Sequence, residues 1–161
     1  MDTYNHFAYG MQLATQLKSI QHAKNRPGFF EAFGIEDLYN LSDKISAVKG
    51  TILIAVDGYE SSSLPNGADG LNDALQYAFI VATTTINDRP ETISQAFAHC
   101  RPICKQIRNK LFNEASLQSD ISRETHIHGI GPIGDNMYGC ILNFTINQGE
   151  DFFVDPSYFI E

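Results

Sequence analysis

The sequence predicts a single α+β domain: a small mixed or antiparallel sheet of about four strands packed by two amphipathic helices, in the order α-β-β-α-β-β. Three observations carry this. Two segments repeat apolar residues every three or four positions, the period of one helix face. Between and after them lie β-branched runs of strand length. The 161 residues, 43% apolar and 19% charged, suffice for one core without disulfide or metal staples. No internal repeat or break in composition divides the chain, so residues 1–161 read as one domain.

The first helix is drawn over 3–22 by Tyr4, Phe7, Ala8, Met11, Ala14, Leu17 and Ile20, with Asp2 or Thr3 as cap and "KNRPG" as its end. "FFEAFGIEDLYNLSDKI" then mixes aromatic and acidic residues at short helical spacing, which suggests one or two helical turns. Thr51 to Val56 is a β-branched run closed by Asp57-Gly58, hence a buried strand and a turn. Residues 58–74, rich in Gly, Ser, Asn and Pro, read as a long polar loop, and loops of that length are usually functional or mobile. "LQYAFIVATTT", from Leu75, is a second strand.

Asp88, Pro90 and Glu91 make a helix start, since carboxylates complement free amides there and proline fits the first turn. The next helix, 91–115, has the most regular stripe in the chain: Ile93, Ala96, Phe97, Cys100, Ile103, Cys104, Ile107, Leu111 and Phe112. Pro102 lies off the stripe and predicts a kink. Two strands, 122–130 and 138–147, are joined across glycines. In the second, Cys140, Leu142, Phe144 and Ile146 alternate with Ile141, Asn143, Thr145 and Asn147, giving one packed and one polar face. The tail 148–161 is aromatic and acidic with one proline, an edge strand or a segment that docks on a neighbour.

Charge is unevenly divided. Residues 50–88 hold five acids and no base, and residues 124–161 hold six acids and no base, whereas residues 89–123 hold six bases and three acids. The net charge of −8 and its acidic blocks exclude a protein that grips a phosphate backbone. No apolar run is long enough to cross a bilayer and the start lacks a basic-then-apolar leader, so a cytoplasmic site of synthesis is expected. Three cysteines suggest reduced thiols.

Two local patterns invite chemistry. Gly129-Ile-Gly131-Pro-Ile-Gly134 has the G-x-G-x-x-G spacing of dinucleotide folds, but it precedes a strand instead of opening a helix, so it reads as a turn between strands and no cofactor is expected. His126 and His128, two apart on a strand, share a side, and Cys100 and Cys104 lie one helical turn apart. These four side chains are a candidate zinc set, against the simpler reading that both cysteines belong to the core stripe. Ser61-Ser62-Ser63 has no nucleophile elbow around it, and no positioned nucleophile accompanies His99 or His126. His6 and His22 fall off the first helix's stripe and read as solvated. Asn66, Asp69, Asn72 and Asp73 lack the spacing of a calcium loop, and no catalytic residue is assigned.

With the two helices on one sheet face, loop, glycine flap and tail project from the body, features suited to joining subunits. Acids on strands and bases on the long helix suit head-to-tail contacts. The order of an N-terminal helix, "TILIAVDGYE", a polar loop, "LQYAFIVATTT", "PETISQAFAHCRPICKQIRNKLF" and "YGCILNFTIN" resembles the tail terminator, or tail completion, proteins of long-tailed bacteriophages and related neck proteins, over residues 3–147. The resemblance implies a structural virion subunit, not an enzyme. It implies a homo-oligomeric ring, commonly a hexamer, that caps the tail tube, joins it to the head connector and lets DNA through its lumen without specific binding. The glycine-rich stretch with its histidines and the 14 residues after Asn147 depart from that pattern. Two other classes stay open: a zinc-dependent or other hydrolytic enzyme at the His126/His128 region, and an adaptor that binds a protein through 58–74.

Overall fold

The computed structural model describes residues 4–68 and 70–160. The fold is α+β, with a five-stranded mixed sheet. Helix α1 (His6–Gln16) leads to strand β1 (Phe29–Phe33), a 3-10 helix (Ile35–Leu41), the short helix α2 (Ser42–Ser46) and the long strands β2 (Thr51–Pro65) and β3 (Leu71–Thr84). Helix α3 (Glu91–Asn113), strands β4 (His126–Ile133) and β5 (Met137–Glu150) and a last 3-10 turn (Pro156–Tyr158) complete the chain. The strand order is β1-β2-β3-β5-β4; β1 runs parallel to β2 and every other pair is antiparallel.

The expected pair of helices does lie on one face. Leu13 and Ala14 of α1 and Cys100, Cys104, Ile107 and Leu111 of α3 pack on Leu53, Phe79, Leu142 and Phe144. A second cluster, built by Leu41 and Ile45 over Ile52, Ile54, Ile80 and Ile141, covers part of the opposite face. Burial on both sides is why residues 52–56 read as a continuous apolar run without alternation.

Three expectations need correction. The segment "FFEAFGIEDLYNLSDKI" does hold two helical turns, Ile35–Leu41 and Ser42–Ser46, but its first five residues are a strand, β1, whose hydrogen bonds to β2 outweigh the local helical spacing; this is the strand beyond the expected four. The loop 58–74 is mostly a hairpin: β2 continues to Pro65 and β3 begins at Leu71, in register from Glu60↔Gln76 to Pro65↔Leu71 after an irregularity between Val56 and Glu60. The first helix is shorter than 3–22. Asn5 caps it by accepting the Ala8 N–H at 3.0 Å, while Asp2 and Thr3 lie outside the described residues. Helix α3 continues through Pro102, which sits on its exposed side.

Helix α1 comes close to the sheet at Gly10, where an added Cβ would lie 2.9 Å from the Phe29 ring and 3.0 Å from Phe79. A Gly10→Leu chain is expected to lose about 2 kcal/mol of stability through overpacking, despite leucine's better helix propensity, and urea unfolding reads this directly.

Candidate functional site

The zinc set does not converge. Facing residues of paired strands share a sheet side, and His126 and His128 pair with Asn143 and Ile141, on the side of the second cluster. Cys100 and Cys104 lie under α3 on the other side. The sheet stands between the two pairs. His128 Nε2 accepts from Asn143 Nδ2 at 3.3 Å, and the exposed His126 is 3.7 Å from Glu124. Both cysteines are fully buried, and Cys104 Sγ donates to the Cys140 carbonyl at 3.8 Å. Burial, then the neighbouring Cys140, pushes the Cys100 thiol up to about 12. The hydrogen bond with Cys140, then burial, raises Cys104 as well. These are packing thiols with little thiolate at neutral pH.

The glycine motif is a hairpin. Gly129 and Gly131 lie within β4, an irregularity separates Ile130 from Ile133, and Gly134, at φ +61°, opens the turn to β5. Asn136 ties that turn to the end of β3, donating to the Thr85 carbonyl at 2.8 Å and accepting the Thr85 hydroxyl at 2.6 Å. Ser61 to Ser63 are strand residues of β2. Asn72 and Asp73 are consecutive on β3 and so point to opposite faces, and Asp69 lies outside the described residues. His99 meets the Thr51 hydroxyl at 3.0 Å, and His22 Nδ1 accepts the Gly28 N–H.

His6 is the residue whose setting the sequence most concealed. It is not solvated: it is 2% exposed and lies among Tyr77, Phe79 and Phe144. Its Nε2–H donates to the Ala78 carbonyl at 2.8 Å, which leaves Nδ1 to accept the Tyr4 hydroxyl at 2.8 Å. Desolvation by burial lowers its pKa to about 4. The signal was present in the buried spacing His6, Gly10, Leu13, Ala14, which differs in phase from the stripe through Met11.

The surfaces that stand out are those of the sheet's far half. Strand β2 alone has 15 residues, about 50 Å of chain. Its outer part, with the matching ends of β3 and β5, reaches beyond the second cluster as a three-stranded arm. One side of this arm presents Ser62, Gln76, Asn143, Thr145 and Asn147 around a shallow cleft of about 390 Å³. The Asn143 Oδ1 is buried there without a partner among the described residues. The arm and the tail beyond it carry Glu60, Asp73, Glu150, Asp151 and Asp155 and no base. Helix α3, by contrast, has Arg101, Lys105, Arg108 and Lys110 and no acid from 92 to 113, and none of the four is ion-paired among the described residues.

Beyond the arm the tail leaves its apolar side chains in solvent: Phe152 is 64% and Phe153 87% exposed, and Val154, Tyr158, Phe159 and Ile160 are exposed too. At the other end of β5 an open groove of about 420 Å³ lies between α3 and β4, walled by Ile93, Phe97, Ile130 and Tyr138 over the glycines. No helix among the described residues is long and apolar enough to cross a membrane. No known family model matches the chain, and no curated protein matches it significantly.

Proposed function

We propose that the chain is a structural subunit that assembles head to tail into a closed ring and serves as a tail terminator or neck protein, capping a bacteriophage tail tube and joining it to the head connector. The observation that carries this is the placement of unsatisfied surface at opposite ends. An acidic arm with an exposed aromatic tail lies at one end of β5, and an apolar groove beside the start of the basic helix α3 lies at the other. Exposed apolar groups in that number mark association sites, and unlike ends on one chain make heterologous contacts that close into rings when the rotation permits.

The uncharged and acidic arm suits a channel through which DNA passes, because a wall without cations releases no counterions and holds no phosphate. In this reading the protein acts in the virion neck after assembly in the host cytoplasm, with the tail tube and connector as partners, without cofactor or catalytic role. Images of the purified chain at high concentration are expected to show rings, six-membered if the resemblance extends to ring number, that do not retain duplex DNA even at low salt. Open fibres, or tight binding of DNA, would count against it.

A further inference from the structure

Among the described residues the tail has no partner in its own chain, and the groove has none either. Phe152 and Phe153 stack on each other, with ring centroids 6.2 Å apart, instead of entering the core. The groove walls Ile93 and Phe97 are 38% and 36% exposed although both lie on the helix's apolar stripe. Beside them β4 is an edge of the sheet, paired on one side only; Pro132 and the irregularity after Ile130 blunt the far end of that edge, whereas His126 to Ile130 carry none of the lysines that usually guard one. Arg101, one helical turn past Phe97, is exposed and unpaired among the described residues.

Phe152 and Phe153 cannot fill this groove in the same copy. Tyr138 and Gly139 form its wall at the start of β5, whereas the tail departs after Glu150, which pairs with Leu71 at the tip of the arm. The 11 residue steps from Gly139 to Glu150 span about 36 Å of strand, and Phe152 is only two residues further on, so it stays roughly 29 Å away.

We propose that residues 151–155 of one copy lie along the free edge of β4 in a second copy, with Phe152 seated in the groove between β4 and α3, Phe153 turned to the sheet's other face, and Glu150 and Asp151 beside Arg101. An extended segment added to a sheet edge gains main-chain hydrogen bonds while alternate side chains supply the selectivity. The complementary charges orient it. Because donor and acceptor sites lie at opposite ends of β5, the contact is head to tail. It rests on the ring reading above and gives that ring a specific joint.

The test uses one truncation and a set of full-length variants, each first checked for an unchanged circular dichroism spectrum. A chain ending at Glu150 and a chain with Arg101→Glu and Phe97→Glu are each expected to be monomeric at concentrations where the natural sequence is assembled. Mixed together they are expected to form 1:1 dimers and nothing larger, since one keeps the groove and the other the tail. Phe152→Ser with Phe153→Ser is expected to weaken association by roughly 30-fold or more, the loss of a buried aromatic anchor. Arg101→Glu alone is expected to weaken it, and Glu150→Lys with Asp151→Lys to restore it. If the truncated chain assembles as the natural one does, or the mixture stays monomeric, the joint is overturned while a ring built through other surfaces survives. If the natural sequence is itself monomeric throughout, joint and ring fail together.

Discussion

Gly139→Ala is expected to remove about 3 kcal/mol of stability or more, enough to leave much of the chain unfolded if its total is ordinary for a domain. Gly139 sits in β5 between Ala82 of β3 and Ile130 of β4. A Cβ there would run into the Val81 carbonyl oxygen and lie 2.8 Å from the Ala82 Cα. Both obstacles are backbone of the central strand, which cannot rotate away as a side chain tip would. The matched control is Gly149→Ala, near the tip of the same strand, where an added Cβ meets nothing within 4 Å. That change is expected to be neutral to slightly stabilising, because alanine loses less backbone freedom on folding. Urea unfolding of both proteins separates the close approach at Gly139 from any general intolerance of the strand.

The second large effect is expected in acid. In the unfolded chain His6 titrates near 6.5, whereas desolvation by burial lowers its folded value to about 4. The unfolded state therefore binds the proton more readily. Above pH 6.5 His6 is neutral in both states and costs nothing. As the pH falls from 6.5 toward 4 the unfolded state gains, and below 4 the loss is complete at about 3 kcal/mol. His6→Gln keeps a donor for the Ala78 carbonyl and an acceptor for the Tyr4 hydroxyl without titrating. Relative to it, the natural protein is expected to lose stability steeply over that window and to run parallel to it above pH 7. Parallel curves down to pH 4 would mean that His6 titrates alike in both states, as an exposed imidazole does.

These two positions also show how much the sequence disclosed. Helix α3 was plain because its apolar stripe is unbroken and the sheet buries most of it, cysteines included, leaving Ile93 and Phe97 partly exposed at its start. The alternation in β5 was plain from Leu142 onward, where Leu142, Phe144 and Ile146 are packed and Asn143, Thr145 and Asn147 half-buried, whereas Met137 and Ile141 on that second face are buried by the second cluster. The hairpin arm was hidden because both of its faces meet solvent: Ser61-Ser62-Ser63 has no apolar alternation, and only pairing with Leu75 to Asp73 makes it a strand. Asn66-Gly67, with Gly67 at φ +79°, was the available sign of a hairpin tip. Strand β1 was hidden because five residues containing Glu31 are too few for a period to emerge, and its ladder to β2 depends on a segment far along the chain.

The candidate sites were less legible than the elements. Spacing put His126 with His128, and Cys100 with Cys104, correctly within each element. It carried no information on which side of the sheet each pair would take, and that choice keeps the two pairs apart. The acidic and basic blocks fared better, since charge needs no exact partner: Glu60, Asp73 and Glu150 lie on the arm and Arg101, Lys105, Arg108 and Lys110 on α3, whereas Asp88 and Asp135 fall in connections away from the arm. The pairing of tail and groove was not readable at all. It depends on the length of β5, which places one at each end.

The measurement that most directly tests assembly is the molar mass in solution across concentration, by light scattering after size exclusion at moderate salt. A single closed species that is a fixed small multiple of the 17.9 kDa chain, with no growth beyond it at higher concentration, is the expected result. A mass that stays at one chain at every concentration would contradict the account, because the aromatic tail and the open groove would then have no counterpart in a second copy.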